Sequence, residues 1–301
     1  MTNAWIEEYL ELLKKEDSVN VFLLKNKNFP SHIYKYRALN SNTLDCLEDD
    51  WLWASEPKYM NDSFESSLNI DNHQVFRNFI SGKVFKEEFK KMYNYDFPNE
   101  TIQEIIKSDH PHELFVLKCS KLGIHLPSPQ QVYEQATYYW EKFMAEQEKY
   151  IRICCFGTCY ESILMWAHYA DSNKGFCLEY NFKDNAEIRT FLQPVYYSDK
   201  RNFINSIPEM NIYSKVIASI TKSKEWEYEQ EWRVVRFSKT QVEQKNNRLD
   251  MPVPTAIYVG YNFEQNIDTE KKKLLEIAAA KNIPIHRMAN HPTEYKLVTI
   301  S

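Results

Sequence analysis

Apolar positions recur at helical spacing through Trp5, Ile6, Tyr9, Leu10, Leu12 and Leu13, which predicts an amphipathic helix over residues 3–15. The pattern then changes period. After a turn at Asn26–Pro30, Ile33-Tyr34-Lys35-Tyr36-Arg37 alternates as a strand, with Tyr34 and Tyr36 on one face. Ser41 caps a short helix through Leu44 and Leu47, and Trp51–Ser55 reads as a second strand before a loop at Pro57–Asp62. From residue 71 to about 150 the spacing is helical throughout. Breaks at Asn94–Asn99, Asp109–Pro111 and Gly123–Pro129 divide it into four helices, the last opening at Ser128-Pro129. Strands are then expected at Ile151–Phe156, Gly175–Phe182, Val195–Tyr197, Trp232–Phe237, Ala256–Val259, Pro284–Met288 and Lys296–Ile300. Helices are expected at Glu161–Ala170, Ile204–Lys222 and Thr269–Lys281. Strands without regular β-α-β alternation indicate an α+β fold. The chain, residues 1–301, reads as a single domain with a helical insertion at about 71–150.

Composition narrows the function classes. The chain is 43% hydrophobic and 15% aromatic, enough for a packed core and unlike a disordered chain. Its five glycines form no G-x-G-x-x-G and no G-x-x-x-x-G-K-[ST] phosphate cradle. A net charge of −5 supplies no basic field for nucleic acid, and the Lys90-Lys91 and Lys271–Lys273 clusters read as outer helix faces. No apolar run reaches the ~18 residues of a membrane span, and no secretion signal opens the chain. Six cysteines without a C-x-x-C pair suit free thiols in a reducing, cytoplasmic setting.

The candidate chemistry concentrates in Lys222–Phe237, where Glu229 and Glu231 precede the apolar run Trp232, Val234, Val235, Phe237. Period-two geometry would place both carboxylates on one side of an extended chain, backed by a stiff strand. Solvated charges at a strand entrance satisfy the same spacing. Asn61-Asp62-Ser63-Phe64-Glu65 is turn chemistry or a pair of ligand-facing polar groups. Arg37, closing its strand, is a surface charge or a grip on phosphate or carboxylate. Cys155 and Cys159 with His168 make a poor zinc set, and nothing marks a low thiol pKa there.

Taken together, these segments resemble a bacterial family of unknown function, DUF2971. The stretches that carry the resemblance are Tyr34–Arg37, Leu52–Ser55 leading to Asn61–Glu65, Cys155-Phe156, Met165–Asp171 running on to Lys174–Cys177, and Lys222, Trp226, Tyr228-Glu229 and Glu231–Arg233. Two positions depart from the family's habit: Ser63 replaces a Pro, and Gly157 replaces a Ser. The motif order also resembles, more distantly, the Arg-Ser-Glu class of ADP-ribosyltransferases. In that pattern an Arg ends the first strand, a Ser-containing strand leads into a helix, and an E-x-E opens a late strand. Arg37, Phe156-Gly157-Thr158 and Glu229-Gln230-Glu231 occupy the three places, with Gly157 lacking the hydroxyl that Thr158 or Ser55 would have to supply.

That resemblance implies a split, mainly antiparallel sheet and NAD as substrate, with no metal. Breaking the nicotinamide–ribose bond develops positive charge on the ribose, as in glycoside cleavage. Glu231 would stabilise that charge and Glu229 would orient or deprotonate the acceptor. Arg37 would hold the pyrophosphate or a ribose. Tyr36, Trp166 or Tyr169 would stack on nicotinamide, and Ser55, Asn61, Asp62, Phe156 and Gly157 would complete the NAD site. The acceptor, protein or nucleic acid, stays open, as does a regulatory protein partner for a toxin or antiviral defence effector. Two alternatives remain. Asp62, Glu65, Glu229 and Glu231 with Lys222 suit a metal-dependent nuclease or hydrolase. A non-catalytic ligand-sensing or partner-binding module would explain Gly157.

Overall fold

The computed structural model describes residues 4–66, 69–201, 203–204, 211–238 and 247–300. In chain order the strands are β1 (Ile33–Arg37), β2 (Trp51–Trp53), β3 (Asn69–Ile70), β4 (Ile151–Gly157), β5 (Phe176–Tyr180), β6 (Leu192–Pro194) and β7 (Tyr196–Ser198). They continue with β8 (Phe203–Ile204), β9 (Thr221–Ser223), β10 (Glu231–Phe237), β11 (Arg248–Asp250), β12 (Ala256–Val259), β13 (Ile285–Asn290) and β14 (Leu297–Ile300). The helices are α1 (Ala4–Lys14), α2 (Ser18–Lys27), α3 (Ser41–Glu48), α4 (Asn72–Ser81), α5 (Lys83–Tyr93), α6 (Asn99–Lys107), α7 (Pro111–Lys121), α8 (Pro129–Glu148), α9 (Ile163–Tyr169), α10 (Ala186–Phe191), α11 (Ile212–Ile220) and α12 (Asp268–Ala280).

Two compact units emerge. The first joins Met1–Ser66, Glu148–Lys200 and Ser219–Ser301; the second joins Ser67–Gln147 and Arg201–Ala218. In the first unit an eight-stranded sheet runs β14-β13-β12-β5-β1-β4-β10-β6. Its pairings are antiparallel except β12 with β13, which α12 connects. The fold is therefore α+β with a mostly antiparallel, mixed sheet.

Alternation within the strands separates two cores. Ile33, Phe176, Leu178, Ile257, Val259, Trp232 and Val234 face a large core closed by Leu44 and Leu47 of α3 and Leu274, Ile277 and Ala278 of α12. Tyr34, Tyr36, Cys177, Ala256 and Tyr258 face the other way, against Met165, Trp166 and Ala170. At about 25 cal/mol per Å² of apolar surface removed from water, these two layers dominate the unit's stability. The second unit is helical, with its own aromatic core of Phe85, Phe89, Phe97, Ile102, Ile105 and Cys119.

The sheet is open at one place. Among the described residues, strand β1 pairs with β4 only at Tyr34 and Gly157. The Ala54-Ser55 segment enters the gap, where Ser55 exchanges both backbone hydrogen bonds with Ile153 at 2.8 and 2.9 Å. A cleft forms there, lined by β1, β4 and the loop that follows Ser55.

Several sequence expectations need correction. Helix α2 is additional: Val19, Phe22 and Leu23 lie exposed, so no core-facing stripe announces it. Five helices, not four, occupy residues 72–148, because Gly82 both ends α4 and opens α5. The cap of α3 is Asn40, in a reciprocal capping box with Thr43, and not Ser41. The strand expected at Val195–Tyr197 is β7, shifted to Tyr196–Ser198, and β6 at Leu192–Pro194 is additional. Of the helix expected at Ile204–Lys222, residues 205–210 lie outside the described ones, and Thr221–Ser223 is a strand.

Candidate functional site

The cleft between β1 and β4 has a volume of ≈ 300 Å³. Its lining includes Tyr34, Lys35, Tyr36 and Arg37 from β1, Trp53 at the end of β2, Ser55 just after it, and Tyr59, Met60 and Asn61 from the following loop. Ile153, Cys155, Phe156 and Gly157 come from β4, Met165 and Tyr169 from α9, and Lys222 and Glu231 complete it. Each element delivers its residue for a local reason. Ser162 caps α9 by accepting from the Met165 N–H, which orients the helix across the sheet. The helix ends in three successive left-handed residues, Asp171, Ser172 and Asn173, and this turn feeds β5 through Gly175. A Cβ at Gly175 would sit 2.1 Å from the Arg37 carbonyl, so only glycine lets the two chains meet where Arg37 leaves the sheet.

One wall is a buried ion network. Arg233 forms a bidentate pair with Glu65, at 2.6 and 3.0 Å, although the two lie 168 residues apart in sequence. Its Nη2 and Nε also donate to Glu231 Oε2 at 2.8 and 3.1 Å. Lys222 Nζ bridges onward, donating to Glu231 at 3.3 Å and, by a short bond, to Glu229 Oε2. Glu229 Oε1 accepts from the Tyr169 hydroxyl at 2.5 Å, and that hydroxyl accepts from Asn61 Nδ2 at 2.8 Å. All five charged residues are buried, and Arg233 has no exposed surface. Lys222 also lies 4.6 Å from the Trp226 ring centroid.

The two carboxylates of Glu229-Gln230-Glu231 are shifted in opposite directions. Burial alone would push Glu231 up, but Arg233 and Lys222 outweigh it and hold the carboxyl down to about 2. Burial and the neighbouring Glu231 charge push Glu229 up, and Lys222 only partly offsets them. Glu231 is thus a fixed anion facing the cleft. Glu229 is the more basic carboxylate behind it.

Their geometry differs from the sequence expectation. Residues Lys224–Glu229 form a 3-10 helix, and Gln230, at φ 45°, turns the chain into β10. Glu229 and Glu231 therefore do not share one side of an extended strand. They converge because both reach Lys222. The left-handed turn at Gln230 breaks the alternation on which the expectation rested.

The opposite wall is sparsely bonded. Lys35 donates to the Cys155 carbonyl at 2.7 Å across the gap. Arg37 approaches the Cys46 thiol, yet its Nε is buried without a hydrogen-bond partner among the described residues. Trp53 and Tyr59 stand at the mouth, 48% and 72% exposed.

Of the residues expected from the sequence, Arg37, Tyr36, Ser55, Asn61, Phe156, Gly157, Tyr169 and Glu231 line this cleft. Three do not. Asp62 accepts from the Phe64 N–H at 2.9 Å and stabilises the turn. Trp166 is fully buried, donates to the Tyr160 carbonyl and meets Tyr36 edge-on, so it packs rather than stacks on a ligand. Glu229 reaches the cleft only through Tyr169. Thr158 is turned away, bonding Gln230, and does not replace the missing serine hydroxyl. Cys155 lies beside Glu231, and burial and that charge raise its thiol well above the ordinary range, the reverse of an activated nucleophile. His168 is exposed. Of the four carboxylates of the hydrolase alternative, Glu65, Glu229 and Glu231 are engaged by Arg233 and Lys222, and Asp62 by its own turn.

Sequence reasoning missed Lys35, Tyr197, whose hydroxyl accepts from the Glu231 N–H at 2.8 Å, and the Glu65–Arg233 pair. Arg233 was legible in principle, since the i, i+2 spacing from Glu231 within β10 puts the two on one face. A larger cavity, ≈ 650 Å³, borders Thr158, Glu227, Tyr228, Gln230 and Glu231, but no Lys or Arg among the described residues lines it. Glu231 borders both cavities, but Lys35, Arg37 and Lys222 line the smaller cleft.

Residues 165–234 match the family described as "Protein of unknown function (DUF2971)". The match supports the family resemblance carried by the motifs. It spans α9 to β10 and so includes Tyr169, Lys222, Glu229, Glu231 and Arg233, while Arg37, Asn61 and Glu65 lie before it. The DUF2971 description assigns no activity. No curated protein and no solved structure matches the chain. No helix among the described residues is long and apolar enough to cross a membrane.

Proposed function

We propose that the cleft binds NAD and that the protein cleaves its nicotinamide–ribose bond, passing the ADP-ribosyl group to an acceptor. One observation carries this reading: Arg37, with a buried Nε lacking a partner, and Glu231, held ionised, line the same cleft. Arg37 and Lys35 suit the pyrophosphate. Trp53 and Tyr59 offer aromatic faces at the mouth. The volume, at the low end for ligand pockets, suits the nicotinamide–ribose half of the dinucleotide with the remainder across the mouth.

As the glycosidic bond breaks, the electron pair leaves on the nicotinamide nitrogen and the ribose becomes oxocarbenium-like. Three carboxylates, Glu65, Glu229 and Glu231, share two cations, Lys222 and Arg233. One negative charge is in excess, and Glu231 presents it to the cleft. Because Arg233 is also engaged by Glu65, it orients Glu231 without cancelling its charge. Such a prearranged group is worth about 10²–10³ in rate.

The test is release of nicotinamide from NAD by the purified full chain, in the presence of a chelator. The expected result is release by the wild type and a loss of about 10²-fold or more in Glu231→Gln. Release by neither, or equal release by both, overturns the reading.

A further inference from the structure

The turn that separates Glu229 from Glu231 also shapes the larger cavity. The Gln230 N–H closes the 3-10 helix by donating to the Glu227 carbonyl at 3.2 Å, and the left-handed Gln230 then leads into β10. Glu227 and Glu231 thereby border one space of ≈ 650 Å³, within the range of small-molecule pockets. Strand β6 pairs Pro194 with Trp232, and the Val195 N–H donates to the Glu231 carbonyl at 3.1 Å. That path carries Tyr196 to the same cavity. Trp5 of α1 reaches it by packing on Trp232, with ring centroids 6.0 Å apart, and the half-buried Tyr228 adds a further ring.

The lining is chemically one-sided. It joins two carboxylates to several aromatic rings, and no Lys or Arg among the described residues belongs to it. Lys224, a cation whose charge bears on Glu227, is exposed and forms an ion pair with Asp199. An anion entering here would meet the ionised Glu231, and a neutral apolar molecule would leave both carboxylates unanswered. A positively charged nitrogen on an aliphatic body suits every part of the wall. Its charge answers the carboxylates, the negative faces of aromatic rings attract it, and its methylene or methyl groups cover apolar surface. We propose that the larger cavity is a binding site for a small organic cation of the alkylammonium class. Nothing in this site requires NAD, although Glu231 borders the cleft as well. Glu231 Oε2 is already engaged by Arg233 and Lys222, so Glu227, which lines this cavity and not the cleft, is the carboxylate to test.

The experiment is titration calorimetry on the full chain without NAD, so that its outcome is separate from that of nicotinamide release. The probes are choline, putrescine and 3,3-dimethyl-1-butanol, the uncharged carbon isostere of choline. Each is titrated into wild type, Glu227→Gln and Tyr196→Leu, with the Tm of each protein measured. The expected result is that at least one of the two cations binds wild type about tenfold or more tightly than the uncharged alcohol. Each substitution should weaken that binding by about fivefold or more, with Tm near wild type. Choline against putrescine then separates a methylated from a primary ammonium. Binding of neither cation, equal binding of the alcohol, or unchanged affinity in either folded variant overturns the proposal. Should one variant not fold, the other variant and the comparison with the alcohol decide.

Discussion

The two walls of the cleft are built on opposite principles. On the β10 side, a chain of contacts runs from Glu65 through Arg233, Glu231, Lys222, Glu229 and Tyr169 to Asn61. On the β1 side, Lys35 spans the gap to one carbonyl and Arg37 Nε has no partner among the described residues. A buried ion pair seldom stabilises more than an apolar substitute, but it fixes geometry, and breaking one side leaves a naked charge. A buried donor without an acceptor costs about 1–3 kcal/mol, which a ligand oxygen would recover. On the proposed reading the paired wall positions and the sparsely bonded wall binds.

Substitutions break this comparison in order of effect. Arg233→Met strands Glu65 and Glu231 in the interior and should cost about 3–5 kcal/mol in chemical denaturation. A loss below about 1 kcal/mol would mean the network is not holding the wall. Arg37→Ala should leave stability within about 1 kcal/mol of wild type. Its NAD affinity, by titration calorimetry, should fall by about 1.5–3 kcal/mol, the worth of a hydrogen bond to a charged group. Equal losses of stability and affinity would erase the distinction between the walls.

Acid sharpens the contrast between the carboxylates. The carboxyl of Glu231 is depressed in the folded chain, so the unfolded chain takes up its proton first. Its contribution is present above about pH 4.5 and is lost as pH falls toward about 2. Glu229 is raised, so the folded chain takes up that proton first. Its contribution is present below the unfolded value and lost as pH rises through the folded one. Urea midpoints across the acid range should thus lose opposite slopes in Glu231→Gln and Glu229→Gln. The same sign in both would contradict the assignment.

The smallest effect belongs to Gly157. The nearest neighbours of a Cβ there are the Glu229 carbonyl at 3.4 Å, the Cys159 carbonyl at 3.8 Å and Met165 at 3.9 Å, all ordinary contacts. Gly157→Ser should fold with a stability change of about 0.5 kcal/mol or less and place a hydroxyl beside Glu231. A destabilised variant would show that the cleft floor is tighter than its contacts indicate.

How much of this was legible beforehand depends on the range of the interaction. Strands β1, β4, β5 and β12 follow from alternation and β-branched or aromatic content, and α9 from its apolar stripe. Convergence of Arg37 and Glu231 came only through motif order, because no local pattern brings residue 37 to residue 231. Glu229 was misplaced because a left-handed Gln230 carries no sequence mark; glutamine is not a residue that advertises that conformation. Glu65 looked like part of a turn motif, since its partner Arg233 is remote in sequence. Trp166 looked like a stacking platform because aromatic residues serve cores and ligands alike, and only burial decides between them.

The most direct measurement is a crystal structure of the full chain with a carba-NAD whose glycosidic bond cannot be cleaved. The account predicts a phosphate oxygen within about 2.7–3.2 Å of Arg37 Nε and the nicotinamide-side ribose facing the Glu231 carboxylate. A saturating analogue bound elsewhere, or a cleft left empty with Arg37 still unpaired, would contradict it.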